Sequence, residues 1–412
     1  MPRFYVPPEW RHVITDGAGV SLTFLDRLST GGQFRFDLNT PAELSGRVPA
    51  DSPEINILNV APDNDPFLSE GTRRCFSFRG DFSGPGGAQF GVRHAGIVFG
   101  LDDTGDENAP YSTFTVADPW AYLYSRRCVD VNGNPPGRRG LRFTSIPVAT
   151  IALQLLENTI AEHGPTGIDA GVANGGTTFH DGFLSTETDP ITYVVQRGKT
   201  VGEAWEDLCA TGLMDIELTP IYDMNNRPNY LCDLNIYAAE PTVTQPRGEE
   251  HPEAIFAWDR PPRTLSGIRR NMDGRARANK IQFYTKRGVQ ADVLTDQDSV
   301  DKYGEYWYEQ QFPDQLVKER VGEWAASQLE LRSRGMRTIT PTPGAQQPPL
   351  LWDEYFVGDR VPVWASNNLR ERIPDADHPS IYQRVMGITI SLDPEETVTE
   401  LRVMSEPAPI IV

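Results

Sequence analysis

The stretch Arg384-Val385-Met386-Gly387-Ile388-Thr389-Ile390-Ser391-Leu392, then Asp393-Pro394-Glu395-Glu396, then Thr397-Val398-Thr399-Glu400-Leu401-Arg402-Val403, carries the clearest structural signal in the chain. Met386, Ile388, Ile390 and Leu392 alternate with smaller or polar neighbours. Beyond the acidic turn, Thr399, Leu401 and Val403 face one way while Glu400 and Arg402 face the other. Because successive strand side chains point to opposite faces of a sheet, this pattern predicts a β-hairpin with a four-residue loop and one buried face.

Working outward, residues 255–412 read as a β region. Asn279-Lys280-Ile281-Gln282-Phe283-Tyr284 has strand patterning, and a helix is expected over 314–334, with Val317, Val321, Trp324 and Ala325 inward and Gly335 as its stop. A strand follows at Asp359-Arg360-Val361-Pro362-Val363-Trp364, where Pro362 cannot donate to a ladder and so predicts an edge or a bulge. The five prolines between Pro241 and Pro262 mark a boundary before it.

Residues 1–146 read as a second β region. Val20, Leu22 and Phe24 on one side of Ser29-Thr30-Gly31-Gly32, and Phe34, Phe36 and Leu38 on the other, predict a hairpin. Ala95, Ile97 and Phe99 share a strand face, Tyr111 to Val116 forms another strand, and Asp118-Pro119-Trp120 opens a short helix, with Asp118 as cap and Pro119 in the first turn. Between the β regions, residues 147–254 read as a small α/β domain. Ile151, Ala152, Leu155, Leu156 and Ile160 recur at helical spacing up to Gly164. Thr200 and Glu203 form a capping box for a second helix, and strands follow at 214–219 and 230–237, which are alternatively read as completing the first β region. Gly164 to Pro190 is expected to be an irregular surface loop. The fold class expected is mainly β with an α+β insertion.

At 412 residues the chain is long enough for two or three cores at about 150 residues each. With 39% hydrophobic and 23% charged residues it reads as globular, and no apolar run approaches the roughly 18 residues of a membrane span. Met1 to Trp10 lacks the order of a secretion signal, so synthesis in a cytosol and no stable membrane insertion are expected. The net charge of −19 gives no basic footprint for gripping phosphates, although a repulsive surface suits a path along which DNA slides without binding.

Searching for chemistry yields expectations of absence: no catalytic residue, no cofactor and no metal. Cys75, Cys128, Cys209 and Cys232 form no CxxC pair and read as reduced core thiols. His12, His94, His163, His180, His251 and His378 are scattered singly and read as surface or lightly buried residues. The glycines 84, 86 and 87 lack phosphate-loop order, and there is no GxSxG elbow. The acidic loops Asp102 to Glu107 and Asp130 to Asn134 depart from calcium-loop order. Trp120, Trp205, Trp258, Trp307, Trp324, Trp352 and Trp364 read mainly as core residues rather than a sugar platform.

Several of these stretches together carry a family resemblance. The Leu22 to Leu38 hairpin, Gly46-Arg47-Val48-Pro49-Ala50-Asp51, His94-Ala95-Gly96-Ile97-Val98-Phe99, Asp118-Pro119-Trp120-Ala121-Tyr122-Leu123 and the closing hairpin resemble minor tail proteins of long-tailed, non-contractile bacteriophages of actinobacteria, proteins of the baseplate or tail-tip hub type. The resemblance implies two β-barrel-like hub domains flanking a small α/β domain, and a homotrimer below the distal tail protein and next to the tape-measure protein, in contact with other minor tail or receptor-binding proteins. It implies a place at the distal end of the virion tail, around a DNA exit channel, and no catalytic motif. No lytic domain is expected after the last strand. Two other classes compete with this one: a peripheral receptor-binding protein that holds glycans, and a cell-wall hydrolase.

Overall fold

The computed structural model describes residues 9–17, 21–25, 32–49, 52–58, 73–81, 89–104, 111–171, 177–180, 190–209, 214–223, 227, 230–238, 251–258, 263–273, 277–285, 292–312, 325–326, 329, 332–333, 336–343, 349–352, 354–364, 382–392 and 396–405. In chain order the first elements are β1 (Glu9–Thr15), β2 (Ser21–Leu25), β3 (Gln33–Asp37), β4 (Glu43–Pro49), α1 (Pro53–Leu58), β5 (Arg74–Asp81), β6 (Gln89–Thr104) and β7 (Tyr111–Ala117). There follow α2 (Pro119–Leu123), β8 (Leu141–Pro147), α3 (Val148–His163), β9 (Ile168–Asp169), β10 (Thr177–His180), β11 (Pro190–Val195), α4 (Val201–Cys209), β12 (Met214–Pro220) and β13 (Cys232–Ala238). The last are β14 (Phe256–Ala257), β15 (Leu265–Asp273), β16 (Lys280–Thr285), β17 (Leu294–Thr295), α5 (Gln297–Tyr303), β18 (Trp307–Phe312), β19 (Met336–Pro343), β20 (Arg360–Trp364), β21 (Tyr382–Ser391) and β22 (Thr397–Ser405).

The closing hairpin forms as read: β21 pairs antiparallel with β22, and Ile388, Ile390, Leu401 and Val403 are buried. Thr399 is exposed rather than aligned with Leu401, because the register slips between Thr389 and Ile390 and a one-residue slip reverses the face. Phe99 is half exposed for the same reason. A bulge between Val98 and Gly100 turns it away from the face held by Ala95 and Ile97.

The hairpin expected across Leu22 to Leu38 does not form. β2 returns onto β1, with Phe24 opposite Val13, while β3 pairs with β4 on one side and β21 on the other. Phe34 and Phe36 are buried as expected, but Leu22 and Phe24 are exposed, since β2 buries the opposite parity at Leu25. The pairing Ile388 to Phe36 and Ile390 to Phe34 joins strands that lie at opposite ends of the sequence. One thirteen-stranded sheet results, ordered β15-β19-β22-β21-β3-β4-β7-β6-β5-β1-β2, with β20 attached to β21 and β14 to β20. Its path is open, and among the described residues no strand set closes into a barrel, unlike the two barrel-like units expected. The physical reason lies in the hairpin itself, whose outer strand edges go to β3 and β19 and tie residues 32–49 to residues 265–405.

The small α/β unit has its own core. α3 buries Ile151, Ala152, Leu155 and Leu156 and stops at Gly164; α4 buries Ala204, Trp205 and Leu208. The capping box is formed, with Thr200 N donating to Glu203 Oε2 at 2.8 Å and Glu203 N to Thr200 Oγ1 at 3.3 Å. Trp120 and Trp205 meet edge to face with centroids 5.3 Å apart, so α2 packs into this core from upstream of residue 147, along with Cys128 and Phe143. Cys232, Leu234 and Ile236 of β13 are buried as read, in a four-stranded sheet with β12, β10 and β9. Gly164 to Pro190 is therefore not wholly irregular: Ile168–Asp169 and Thr177–His180 add to β13 in parallel. The 241–262 link likewise carries β14, whose Phe256 is fully buried.

In the third region β16 lies between β17 and β18, and Ile281, Phe283 and Ala325 share a small core. Of the helix expected over 314–334, Ala325, Ala326, Leu329, Arg332 and Ser333 are described and helical, while Val317, Val321, Trp324 and the Gly335 stop lie outside the described residues. Pro362 is the last β20 residue paired with β21, after which Val363 and Trp364 pair with β14, so its missing donor falls where the ladder changes partner. Among the described residues no helix is long and apolar enough to cross a membrane.

Candidate functional site

Most of the residues singled out from sequence are dispersed by the fold, whereas His94, Asp118, Trp120, Cys232 and Trp352 line one cavity. All four cysteines are free and buried, and burial pushes the Cys75 thiol up to about 12. No group of three metal-type ligands occurs among the described residues. Asp130 uses its carboxylate in its own turn, accepting from Asn132 N at 2.8 Å and Asn134 N at 2.9 Å, and these amides hold it below the usual carboxylate range. Asp102 to Thr104 belong to β6; residues 105–107, the glycines 84, 86 and 87, and His378 lie outside the described residues. Trp120 and Trp205 are core residues, whereas Trp258 and Trp307 are exposed.

Two histidines correct the expectation of surface or lightly buried positions: His12 and His94 are both deeply buried, at 2% exposure. His12 Nδ1 lies 2.9 Å from Ser77 Oγ, and Phe34 packs against both imidazoles, with centroids 6.2 Å from His12 and 5.5 Å from His94. Burial, and for His12 the neighbouring His94, lowers their pKa values to about 3 and about 4, so both are neutral at ordinary pH. A single histidine in a β-strand gives no sequence signal for this, and alternation does not supply one, because residues 12–15 of β1 and 94–97 of β6 are buried on both faces.

His94 opens onto a cavity of about 300 Å³ where β6, the β3–β4 turn, β12 and the 352–357 turn meet. Its walls include Phe36, Asn39, Asp118, Trp120, Ile216 and Trp352. Neither His94 nitrogen has a hydrogen-bond partner, and the Ala42 backbone biases its titration upward without bonding to it in good geometry. The buried indole nitrogens of Trp120 and Trp352 also lack partners. Asp118, the α2 cap, accepts from Trp120 N at 2.9 Å and Ala42 N at 2.8 Å, yet burial outweighs these bonds and raises it to about 7. Asn39 and Trp352 hold left-handed backbone angles of φ 59° and 75° at the rim. Trp352 stacks on Phe356 with ring centroids 4.3 Å apart, and the Arg93 guanidinium lies 5.4 Å from its ring centre.

One wall is bolted by charge. Arg384 of β21 donates to Asp215 of β12, Asn39 Nδ2 donates to the same carboxylate at 2.6 Å, and Ile216 N donates to Asn39 Oδ1 at 3.0 Å. At the rims of the large sheet, β2 and β15 are terminal strands among the described residues, and Leu22 and Phe24 stand exposed on β2.

No protein-family model matches the sequence, and no curated protein matches it. Solved structures do share the fold. A 43 kDa tail protein of prophage MuSo2 from Shewanella oneidensis aligns over 96% of this chain and 100% of its own, with a TM-score of 0.58 at 13% identity. A tail protein from Neisseria meningitidis MC58 aligns over 96% of both chains, also with a TM-score of 0.58 and 13% identity. Prophage tail protein gp18 from Listeria monocytogenes EGD-e aligns over 95% of this chain and 94% of its own, with a TM-score of 0.52 at 11% identity. At such identities the likeness is one of fold.

Proposed function

We propose that the chain is a structural component of a phage-type tail, the hub of its distal tip, rather than an enzyme. The observation that carries this reading is the length of the fold agreement: 96% of this chain aligns with all of a prophage tail protein. A resemblance in sequence patterns and a likeness of fold both support the tail reading.

The open sheet supports an assembly role. Among the described residues β2 and β15 end the sheet, and an exposed pair such as Leu22 and Phe24 on a terminal strand favours another chain over water. Repeated contacts of one kind close into a ring, and a homotrimer is the ring that adapts a tail tube to a tip. In this reading residues 1–146 and 255–412 are the outer, ring-forming regions and 147–254 the smaller domain between them. The distal tail protein and the tape-measure protein are its neighbours, with other minor tail or receptor-binding proteins outside. Part of the −19 charge lines a channel through which DNA passes unbound, since repulsion acts over a Debye length of about 8 Å.

Native mass spectrometry of the purified chain, and electron microscopy of tail tips bearing a tag on it, test the proposal. Trimers and a tip position with an acidic lumen are expected. A strictly monomeric chain absent from tails, or a basic lumen, would overturn it.

A further inference from the structure

We infer that a cluster of arginines at the end of the β8–β11 sheet is a docking face for a second copy of this chain, and that the acidic, aromatic surface around α5 is what it receives. The chain as a whole is strongly acidic, yet residues 126–142 and 193–200 carry six arginines and one lysine against a single acid, Asp130. Pairing brings these segments side by side. Val194 and Val195 of β11 lie opposite Arg142 and Leu141 of β8; just beyond them Thr200 bridges to Arg127, and Cys128 N donates to the Lys199 carbonyl at 3.1 Å. The Gln196–Lys199 turn, closed by Lys199 N on Gln196 O at 3.2 Å, therefore lies beside both Arg127 and the Gly137–Gly140 turn that holds Arg138 and Arg139. Arg127, Arg138, Arg139, Arg142 and Arg197 are all exposed, and none is paired with a carboxylate among the described residues. The nearby acids are engaged elsewhere: Asp130 with the amides of its own turn, Glu203 with the Thr200 amide and Asp207 with Lys199.

Arginine rather than lysine narrows what such a face takes. A guanidinium is weakly hydrated, binds carboxylates through two parallel bonds and stacks on aromatic rings, so it favours a surface that offers acids and rings together. Each chain carries such a surface. Residues 292–309 hold six acids against one lysine; Asp298, Asp301, Glu305 and Glu309 are exposed, and Tyr303, Tyr306 and Trp307 are 42%, 41% and 48% exposed. Cations already seat there within the fold: Lys280 pairs with Glu305, and Arg277 lies 4.1 Å from the centre of the Tyr303 ring. The exposed arginines find no carboxylate in their own chain among the described residues, so the match is met between copies. Both copies are acidic overall, and the contact is local, since beyond a Debye length of about 8 Å the net charges are screened while charges in contact are not. Because the two faces differ, the contact is head to tail and closes a ring when repeated. The inference thus rests on the assembly reading above and adds which surfaces meet.

Sedimentation velocity of the full chain and its charge-reversal variants is the experiment. Arg138→Glu with Arg139→Glu, at two exposed side chains that hold no carboxylate, should weaken self-association about tenfold, equivalent to about 1.4 kcal/mol. Asp301→Lys with Glu309→Lys should do the same, and all four replacements together should recover most of the loss. Thermal melts establish that each variant is folded; Arg197→Glu, from the other segment of the face, should act in the same direction and stands in if the first pair does not fold. Self-association that ignores either reversal, a combined variant that recovers nothing, or a wild-type chain that stays monomeric would each overturn the inference. So would capture of a short DNA duplex at physiological ionic strength that Arg138→Glu with Arg139→Glu abolishes, which would assign the face to phosphates. The tail reading is judged apart from this by the labelled tail tips: a chain found at the tip whose assembly ignores these charges sinks only the contact.

Discussion

Arg384 of strand β21 donates to Asp215 of strand β12, a buried ion pair between residues 169 apart in sequence that fastens the small α/β unit to the large sheet. Asn39 completes the bolt by binding both Asp215 and the next backbone amide. Buried pairs give little net stability against apolar replacements but are severe to break from one side, because the other charge stays buried.

Asp215→Ala is therefore expected to cost about 3–5 kcal/mol in urea unfolding. The double replacement Asp215→Leu with Arg384→Met should cost clearly less than the single one. Equal losses would mean that the pair is not what holds this junction.

Glu396 gathers three donors just before β22: Arg79 Nε at 2.8 Å, Arg79 Nη2 at 3.1 Å and Trp10 Nε1 at 2.7 Å. The bond joins chain positions 386 residues apart at Trp10. Glu396→Gln keeps the shape and removes the charge, so a loss of about 1–3 kcal/mol is expected. Thermal melts check it, and a change within a few tenths of a kcal/mol would show the network to be dispensable.

The buried imidazoles set a pH dependence whose sign is fixed. His12 falls from 6.5 to about 3 and His94 to about 4. The unfolded chain thus takes up protons below about 6.5 that the folded chain refuses, and their contribution to stability is lost as pH falls through that window. Asp118 acts in the opposite sense. Raised from 3.8 to about 7, it favours the folded state at low pH and loses that contribution as pH rises between those values. Two histidines outweigh one carboxyl, so Tm should decline from pH 6.5 to 4. His12→Asn, which can still meet Ser77, should flatten the decline by up to about 1.4 kcal/mol per pH unit. An unchanged slope would refute the assignment.

Gly96 sits where β6 crosses β7 so closely that a methyl group would lie 2.4 Å from the Ala117 carbonyl oxygen. Because backbone rather than a movable side chain is in the way, Gly96→Ala should destabilise by about 1–3 kcal/mol or more. Circular dichroism melts are sufficient to test it, and a neutral result would mean that the two strands separate freely.

Local order was legible in the sequence wherever one periodicity or one cap decides it. The alternation of Ile388, Ile390, Leu401 and Val403, the Asp118 cap and the Thr200–Glu203 box each depend on residues within a few positions, and each is found in place. Deep burial of His12 and His94 was not legible, because both faces of these strand segments are covered by distant parts of the chain, so alternation gives no sign of it. The cavity is still less visible: Asn39, His94, Trp120, Ile216 and Trp352 come from five separate segments.

By itself the sequence determined a mainly β chain with the helices 119–123, 148–163 and 201–209, since period and capping act over a few residues, but not the helices 53–58 and 297–303. Only the tertiary structure decided which strands meet. The same alternation in β2 and β3 is consistent with a hairpin between them, yet β2 pairs with β1 and β3 with β21, because any half-buried strand edge accepts any other of matching register. That choice among partners is a property of the whole chain, and it is what joins both ends of the sequence in one open sheet.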